Sequence, residues 1–203
     1  MSALLLERHY LPRNLRDRLA YGFVSFLRFF ADSIFARRYG HRAVVLETVA
    51  AVPGMVAASL QHLRALRRME SDNGWISTLL EEAENERMHL MTFVHISRPT
   101  GVERLLIVLA QGIFYNVFFL LYMISPRTAH RFVGYLEEEA VHSYTEYLAD
   151  VERGTTINVP APTIAIKYWK LAPDARLREV IIAVRADEVH HRDINHEFAD
   201  KLA

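Results

Sequence analysis

A chain of 203 residues with 51% apolar and 24% charged side chains is long enough for one domain with a substantial core. Lys and Arg together number 24, as do Asp and Glu, so no net field draws the chain toward nucleic acid, and none is expected as a partner. There is no cysteine, which excludes disulfides, thiolate metal ligands, iron–sulfur clusters and thiol-based regulation, and leaves only oxygen and nitrogen to hold a metal.

The N-terminal region is unevenly charged. Arg8, Arg13, Arg16, Arg18, Arg28, Arg37, Arg38 and Arg42 stand against Glu7, Asp17 and Asp32, leaving the remainder net acidic. The opening MSALLLERHYLPRNLR meets charge and proline before any apolar run of useful length, so a secretory signal is not expected. A helix is expected over 14–37, where LRDRLAYGFVSFLRFFADSIFARR mixes Tyr, Phe and Leu with arginines, the composition of a helix lying in a membrane interface. Further helices are expected over 42–70, 74–97, 101–124, 127–151 and 174–201. The breakers between them are Asn73-Gly74, Pro99-Thr100-Gly101, Ser125-Pro126, Gly154, and then Pro160, Pro162 and Pro173 around one long loop. Pro53-Gly54 falls inside the second helix and is expected to kink it. Period-two alternation is nearly absent, so the expected fold is all-α, a single domain over 1–203 with a basic, membrane-associating region at 1–40. From Leu105 to Ile124 only Gln111, Gly112 and Asn116 are not apolar, which suits either a bilayer span or a buried helix.

The chemistry lies in acids and histidines. In EEAENERMHL (81–90) Glu86 and His89 sit three apart, so on a helix they project from one side about a turn apart and can grip one ion. RADEVHHRD repeats the spacing in Glu188 and His191. One Glu-x-x-His is commonly a solvated helix face; two on separate helices are harder to dismiss. Ferritin-like di-iron bundles take Glu-x-x-His from each of two helices and one inward Glu from each of the other two. Glu47 fits the first of those, since it is the one acid between Arg42 and Glu70 and is flanked by Val44, Val45, Leu46 and Val49. An ion pair with a neighbouring Arg is its ordinary alternative. On the 127–151 helix, GYLEEEAVHSYTEYL offers adjacent acids and a third Glu-x-x-His, Glu139 with His142, and spacing does not decide between Glu137 and Glu139. Glu137 shares a face with Ala140 and Tyr144. Carboxylate with imidazole and no thiolate suits iron or manganese better than a closed zinc site.

LETVAAVPGM (46–55), EEAENERMHLMTF (81–93), GYLEEEAVHSYTEYL (134–148) and RADEVHHRDINH (185–196) closely resemble the four sequence blocks of the alternative oxidases, cyanide-insensitive di-iron ubiquinol oxidases, over a stretch running from about residue 28 to the C-terminus. The resemblance implies a ferritin-like four-helix bundle with two additional membrane-surface helices. It implies two iron ions per chain held by Glu47, Glu86, His89, Glu137, Glu188 and His191, with Glu86 and Glu188 bridging and Tyr144 the redox-active tyrosine. The implied quinol pocket is Arg42, Leu46, Glu47, Ala140 and Ser143, the last standing where the family commonly has Thr, and Arg28 and Asp32 resemble its Arg and Asp on the first helix. Asn85, His130, Trp169 and Asp187 also match the family, although core hydrogen bonding or packing would account for them equally well. The implied reaction is non-proton-pumping, four-electron reduction of O2 to water by ubiquinol, in a homodimer. Without cysteine, activation by organic acids through a thiol is not expected.

A single membrane crossing between His89 and Glu137 would strand the two halves of the ligand set on opposite faces of the bilayer. Both 14–37 and 101–124 are therefore expected to lie on one leaflet, and the resemblance, which implies monotopic attachment, agrees. The membrane would be a bacterial cytoplasmic membrane, or the mitochondrial inner membrane in a eukaryote. The rival readings are a membrane-bound di-iron quinone hydroxylase and a non-catalytic ferritin-like iron-binding protein; storage alone would not require the basic aromatic first helix or Tyr144.

Overall fold

The structure, a computed structural model, describes residues 6, 8–35 and 38–202, and the helices begin and end where the local chemistry of the chain dictates. They are α1 (Leu15–Phe35), α2 (Tyr39–Arg68), α3 (Trp75–Ser97), α4 (Gly101–Ile124), α5 (Pro126–Glu152), α6 (Thr163–Trp169) and α7 (Leu177–Lys201). The last two positions of the helix expected at 14–37, with Glu7 and Arg37 of the N-terminal charge pattern, lie outside the described residues. Thr100 starts α4 with a capping box: its hydroxyl accepts from the Glu103 backbone N–H at 3.3 Å while Glu103 accepts from the Thr100 N–H at 2.7 Å. Ser125 caps α5 with Pro126 in the first turn, where a missing N–H costs nothing. Helical backbone continues through Pro53 and Gly54 in α2. Gly54 is needed for packing rather than flexibility, because a Cβ there would stand 2.5 Å from the Leu79 carbonyl oxygen of α3. The short α6 was not expected; it occupies part of the proline-rich loop and packs on α3.

The main packing pairs are α2 with α3 and α5 with α7, and these two pairs face each other to form a four-helix bundle. Two apolar layers fill it. One holds Val52, Val56, Leu79, Phe132, Tyr135 and Phe198; the other holds Val44, Phe93, Tyr144, Tyr147, Ile181 and Val184. Reading along each helix from one layer to the other gives its direction, so α2 and α7 run one way and α3 and α5 the other. Every one of the four passes through a middle layer that carries the acids: Glu47 between Val44 and Val52, Glu86 between Leu79 and Phe93, Glu137 between Phe132 and Tyr144, Glu188 between Val184 and Phe198. Each fully buried Leu, Ile or Phe on either side contributes about 1.5–3 kcal/mol, which offsets the cost of keeping carboxylates out of water.

The other two long helices lie outside this bundle, α1 against α5 and α4 against α2 and α5. Among the described residues two helices are long and apolar enough to span a bilayer, but they differ in what they touch. In the most apolar 18-residue stretch of α2, 56% of residues are buried, whereas in that of α4 only 11% are. α2 is thus a core helix, and α4 turns Leu105, Leu109, Ile113, Leu120 and Ile124 outward, as α1 does Leu15, Leu19, Phe26 and Phe29.

Candidate metal centre

The acidic run on α3 divides by helix face. Glu81 and Glu84 are exposed, Glu84 pairing with Arg87 at 2.7 Å, while Glu82, Glu86 and His89 are buried on the inner side. α7 contributes Glu188 and His191 in the same way, α2 contributes Glu47, and α5 contributes Glu137. All six residues suggested by the sequence are at most 4% exposed. They form two groups, Glu47 with Glu86, His89 and Glu188, and Glu137 with Glu86, Glu188 and His191; within each, one donor atom per residue lies within 4.8 Å of the others. Glu86 and Glu188 belong to both groups. His89 Nδ1 faces Glu47, Glu86 and Glu188 at 3.4, 3.3 and 3.2 Å, and His191 Nδ1 stands 2.7 Å from Glu86 and 3.7 Å from Glu188.

These contacts are close without being hydrogen bonds of good geometry. Glu47 Oε2, both oxygens of Glu86, Glu188 Oε2 and the Nδ1 atoms of both histidines are buried with no hydrogen-bond partner. Buried polar atoms left unpaired in this way are costly unless something else satisfies them. Burial, followed by the charges of Glu86 and Glu188, drives the Glu47 carboxyl well above its ordinary range, and burial does the same to Glu137 with Glu188 and Glu86 adding to it. Against its own burial, Glu86 is held well below the usual range by His89 and His191. Hard oxygen donors and imidazole in two groups that share Glu86 and Glu188 fit a pair of transition-metal ions, and iron fits the donor set.

The histidines are supported differently. His89 Nε2 lies 3.2 Å from Asp187, whose same oxygen accepts from Trp169 Nε1 at 2.7 Å and Asn85 Nδ2 at 3.0 Å; the Trp169 ring stacks on His89 with centroids 5.8 Å apart. A carboxylate on the far nitrogen fixes ring orientation and raises basicity. Three of the further family matches, Asn85, Trp169 and Asp187, therefore act on His89 as one unit. His130 sits apart from the cluster, bonded to Asn195 and Tyr122, and burial pushes its pKa down to about 4. Sequence reasoning missed Glu82, a further buried carboxyl raised to about 7 by burial, and Asn195, which donates to it. The one signal for Glu82 was its position a turn before Glu86 on the same face.

A cavity of about 440 Å³ adjoins the cluster. Glu47, Glu137, Glu188 and Tyr144 form its inner end, and Phe23, Leu27, Ile113, Phe114 and Val117 from α1 and α4 line it toward the outside. Of the residues suggested for substrate, Arg28, Arg42, Leu46, Glu47, Ala140 and Ser143 all line it. Asp32 does not; it pairs with Arg42 and lies 3.5 Å from Arg28, so it acts by holding the two arginines. The structure separates the adjacent acids of α5: Glu137 joins the cluster, and Glu139 forms an ion pair with Arg28 at 2.8 Å and lines the cavity. Tyr144 is 5% exposed, donates its hydroxyl hydrogen bond to Glu47 Oε1, and is kept protonated by burial and then by the Glu47 charge.

The sequence model of the alternative oxidases matches residues 5–200. The chain is 60% identical over 195 residues to "Ubiquinol oxidase 2, mitochondrial" of Glycine max, covering 96% of this chain and 59% of that one. It is 60% identical over 199 residues to "Ubiquinol oxidase 1a, mitochondrial" of Oryza sativa subsp. japonica, covering 98% and 60%. To "Ubiquinol oxidase, mitochondrial" of Batrachochytrium dendrobatidis it is 59% identical over 194 residues, covering 96% and 61%. The chain thus spans about three fifths of the length of these relatives. A match over nearly the whole chain, on residues that converge on one buried cluster, makes this protein a member of the alternative oxidase family.

Proposed function

We propose that the protein is a ubiquinol oxidase that reduces O2 to water with two quinols at a di-iron site. The observation that supports this best is the continuity of an apolar cavity, lined by Arg28, Arg42 and Ser143, with a buried carboxylate and histidine cluster beside Tyr144. Two quinols carry the four electrons and four protons that O2 needs. Iron held by Glu47, Glu86, His89, Glu137, Glu188 and His191 would supply the reversible one-electron chemistry at which O2 is reduced. The protein's own residues do the rest. Arg42, held by Asp32, orients the quinol head group, with the Ser143 hydroxyl as a second polar contact on α5. The apolar wall excludes water. Tyr144 holds a proton and an electron within hydrogen-bond reach of Glu47. Purified protein given ubiquinol should consume O2 in the presence of cyanide and yield quinone of unaltered mass. An oxygenated quinone would replace this reading with the hydroxylase one, and iron binding without turnover would leave only the ferritin-like one.

We further propose attachment to one leaflet through α1 and α4, which carry the outward apolar faces and flank the cavity between them. A quinol could then enter sideways from the lipid. Cysteines introduced into the cysteine-free chain at Asn73 and Gly154 should label from the same side of sealed vesicles; labelling from opposite sides would remove the model. The relatives' names place them in mitochondria, so on this reading the membrane is the mitochondrial inner one, with a bacterial cytoplasmic membrane as the alternative site. A second copy of the chain completes the reading, checked by the mass of the detergent-solubilised particle.

A further inference from the structure

Behind His191 a chain of side-chain hydrogen bonds crosses the bundle and draws one residue from each of α2, α4, α5, α7 and α3. Gln61 Nε2 donates to the Tyr122 hydroxyl at 3.2 Å, Tyr122 stands 3.2 Å from His130 Nε2, and His130 Nδ1 stands 2.9 Å from Asn195 Oδ1. Asn195 Nδ2 then donates to both oxygens of Glu82 at 3.1 and 2.9 Å and to the His191 carbonyl at 3.0 Å. Only one polarity satisfies every member. The Asn195 oxygen can only accept, so His130 carries its proton on Nδ1; His130 Nε2 is then an acceptor, and Tyr122 must donate to it. Every donor points toward Glu82, which is the terminal acceptor. His130, Asn195 and Glu82 are all at most 4% exposed, so a break anywhere along them leaves a buried group unpaired.

The chain gives the two halves of the metal cluster unequal support. His89 is held through its own ring by Asp187. Among the described residues His191 has no such carboxylate partner on its far nitrogen; it is held through its backbone carbonyl by Asn195, which Glu82 and His130 fix in turn. His191 belongs to the group with Glu137, and not to the one with Glu47 and His89. We infer that Asn195, backed by Glu82, His130 and Tyr122, is a positioning residue for His191 and so sets the geometry of one metal position and not the other, an inference that rests on the di-iron reading.

The test is Mössbauer spectroscopy and iron-retention measurement on full-length holoprotein loaded with isotopically enriched iron, comparing the parent with Asn195→Leu. Leucine keeps the branched outline of the side chain with more bulk and removes every hydrogen bond the amide makes, to His130, Glu82 and the His191 carbonyl. One of the two iron signals is expected to shift, with that iron held about 10–100-fold less tightly, the range for outer partners of metal ligands. The other signal should keep the parent's parameters, a split that general loosening of the fold would not produce. Tyr122→Phe cuts the chain farther out without adding charge, and should move the same signal in the same direction by a smaller amount, so it carries the test if Asn195→Leu does not fold. Both signals moving together, or neither moving, overturns the inference and leaves the di-iron reading standing; a parent protein that binds no iron overturns both.

Discussion

Glu86→Ala is expected to leave the protein helical and strip it of iron and of oxidase activity. Glu86 stands in both candidate groups, so its loss removes a donor from each position, whereas loss of Glu47 or Glu137 removes one donor from one. Folding should survive, because alanine favours the helix and one fewer carboxyl must be kept out of water, which offsets the lost contacts with His89 and His191. The readout is thermal as well as analytical. A ligand at a hundred times its dissociation constant stabilises a protein by about 2.7 kcal/mol, so ferrous iron should raise the melting temperature of the parent and not that of the variant. Since carboxylates and imidazoles must lose protons to bind, the parent's gain should shrink as the pH falls. Iron retained in Glu86→Ala at the parent's stoichiometry would show that the cluster is not the site.

Much of this centre is visible in the sequence because helices bring residues three, four and seven apart onto one face. Glu86 with His89 and Glu188 with His191 are local pairs of that kind, and Glu47 is conspicuous as a lone acid among apolar neighbours. The α5 acids show where this runs out. Glu137, Glu138 and Glu139 are each rotated about 100° from the next on a helix, so each faces a different neighbour. Glu137 meets the cluster, Glu138 accepts from the Tyr10 backbone at 2.9 Å and contacts His196 at 2.9 Å, and Glu139 meets Arg28. Which face turns inward is settled by packing against α1 and α7, and spacing is blind to that. The chain behind His191 was illegible for the same reason, since its members come from five helices and share no local pattern. α4 was ambiguous for another: composition records how apolar a helix is but not what covers it, and only the packing shows that α2 is buried and α4 is not.

The largest effect without loss of metal is expected from Tyr144→Phe. The ring is buried and stacks on Phe93 with centroids 5.6 Å apart, and phenylalanine keeps that contact, so the fold should hold. What disappears is one hydroxyl, which donates to Glu47 and lies at the inner end of the cavity. Losing a buried donor of that kind costs about 1–3 kcal/mol of stability, tolerable for a bundle of this size. Its chemical consequence is larger. Burial and the Glu47 charge keep the phenol protonated, so Tyr144 offers a hydrogen atom's worth of proton and electron next to the cluster, and phenylalanine offers neither. Quinol oxidation at saturating substrate should therefore fall by about a hundredfold or more, the range lost with a positioned proton donor, while iron content stays at the parent's value. KM for quinol should change little, because Tyr144 lies deeper than Arg28 and Arg42. Arg42→Ala provides the contrast: it should raise KM more than it lowers kcat, since on the proposed reading Arg42 orients the head group and does not touch the reacting oxygen. If Tyr144→Phe turns over quinol at the parent's rate with its iron in place, the phenol has no part in the reaction, and its bond to Glu47 serves only to hold that carboxylate.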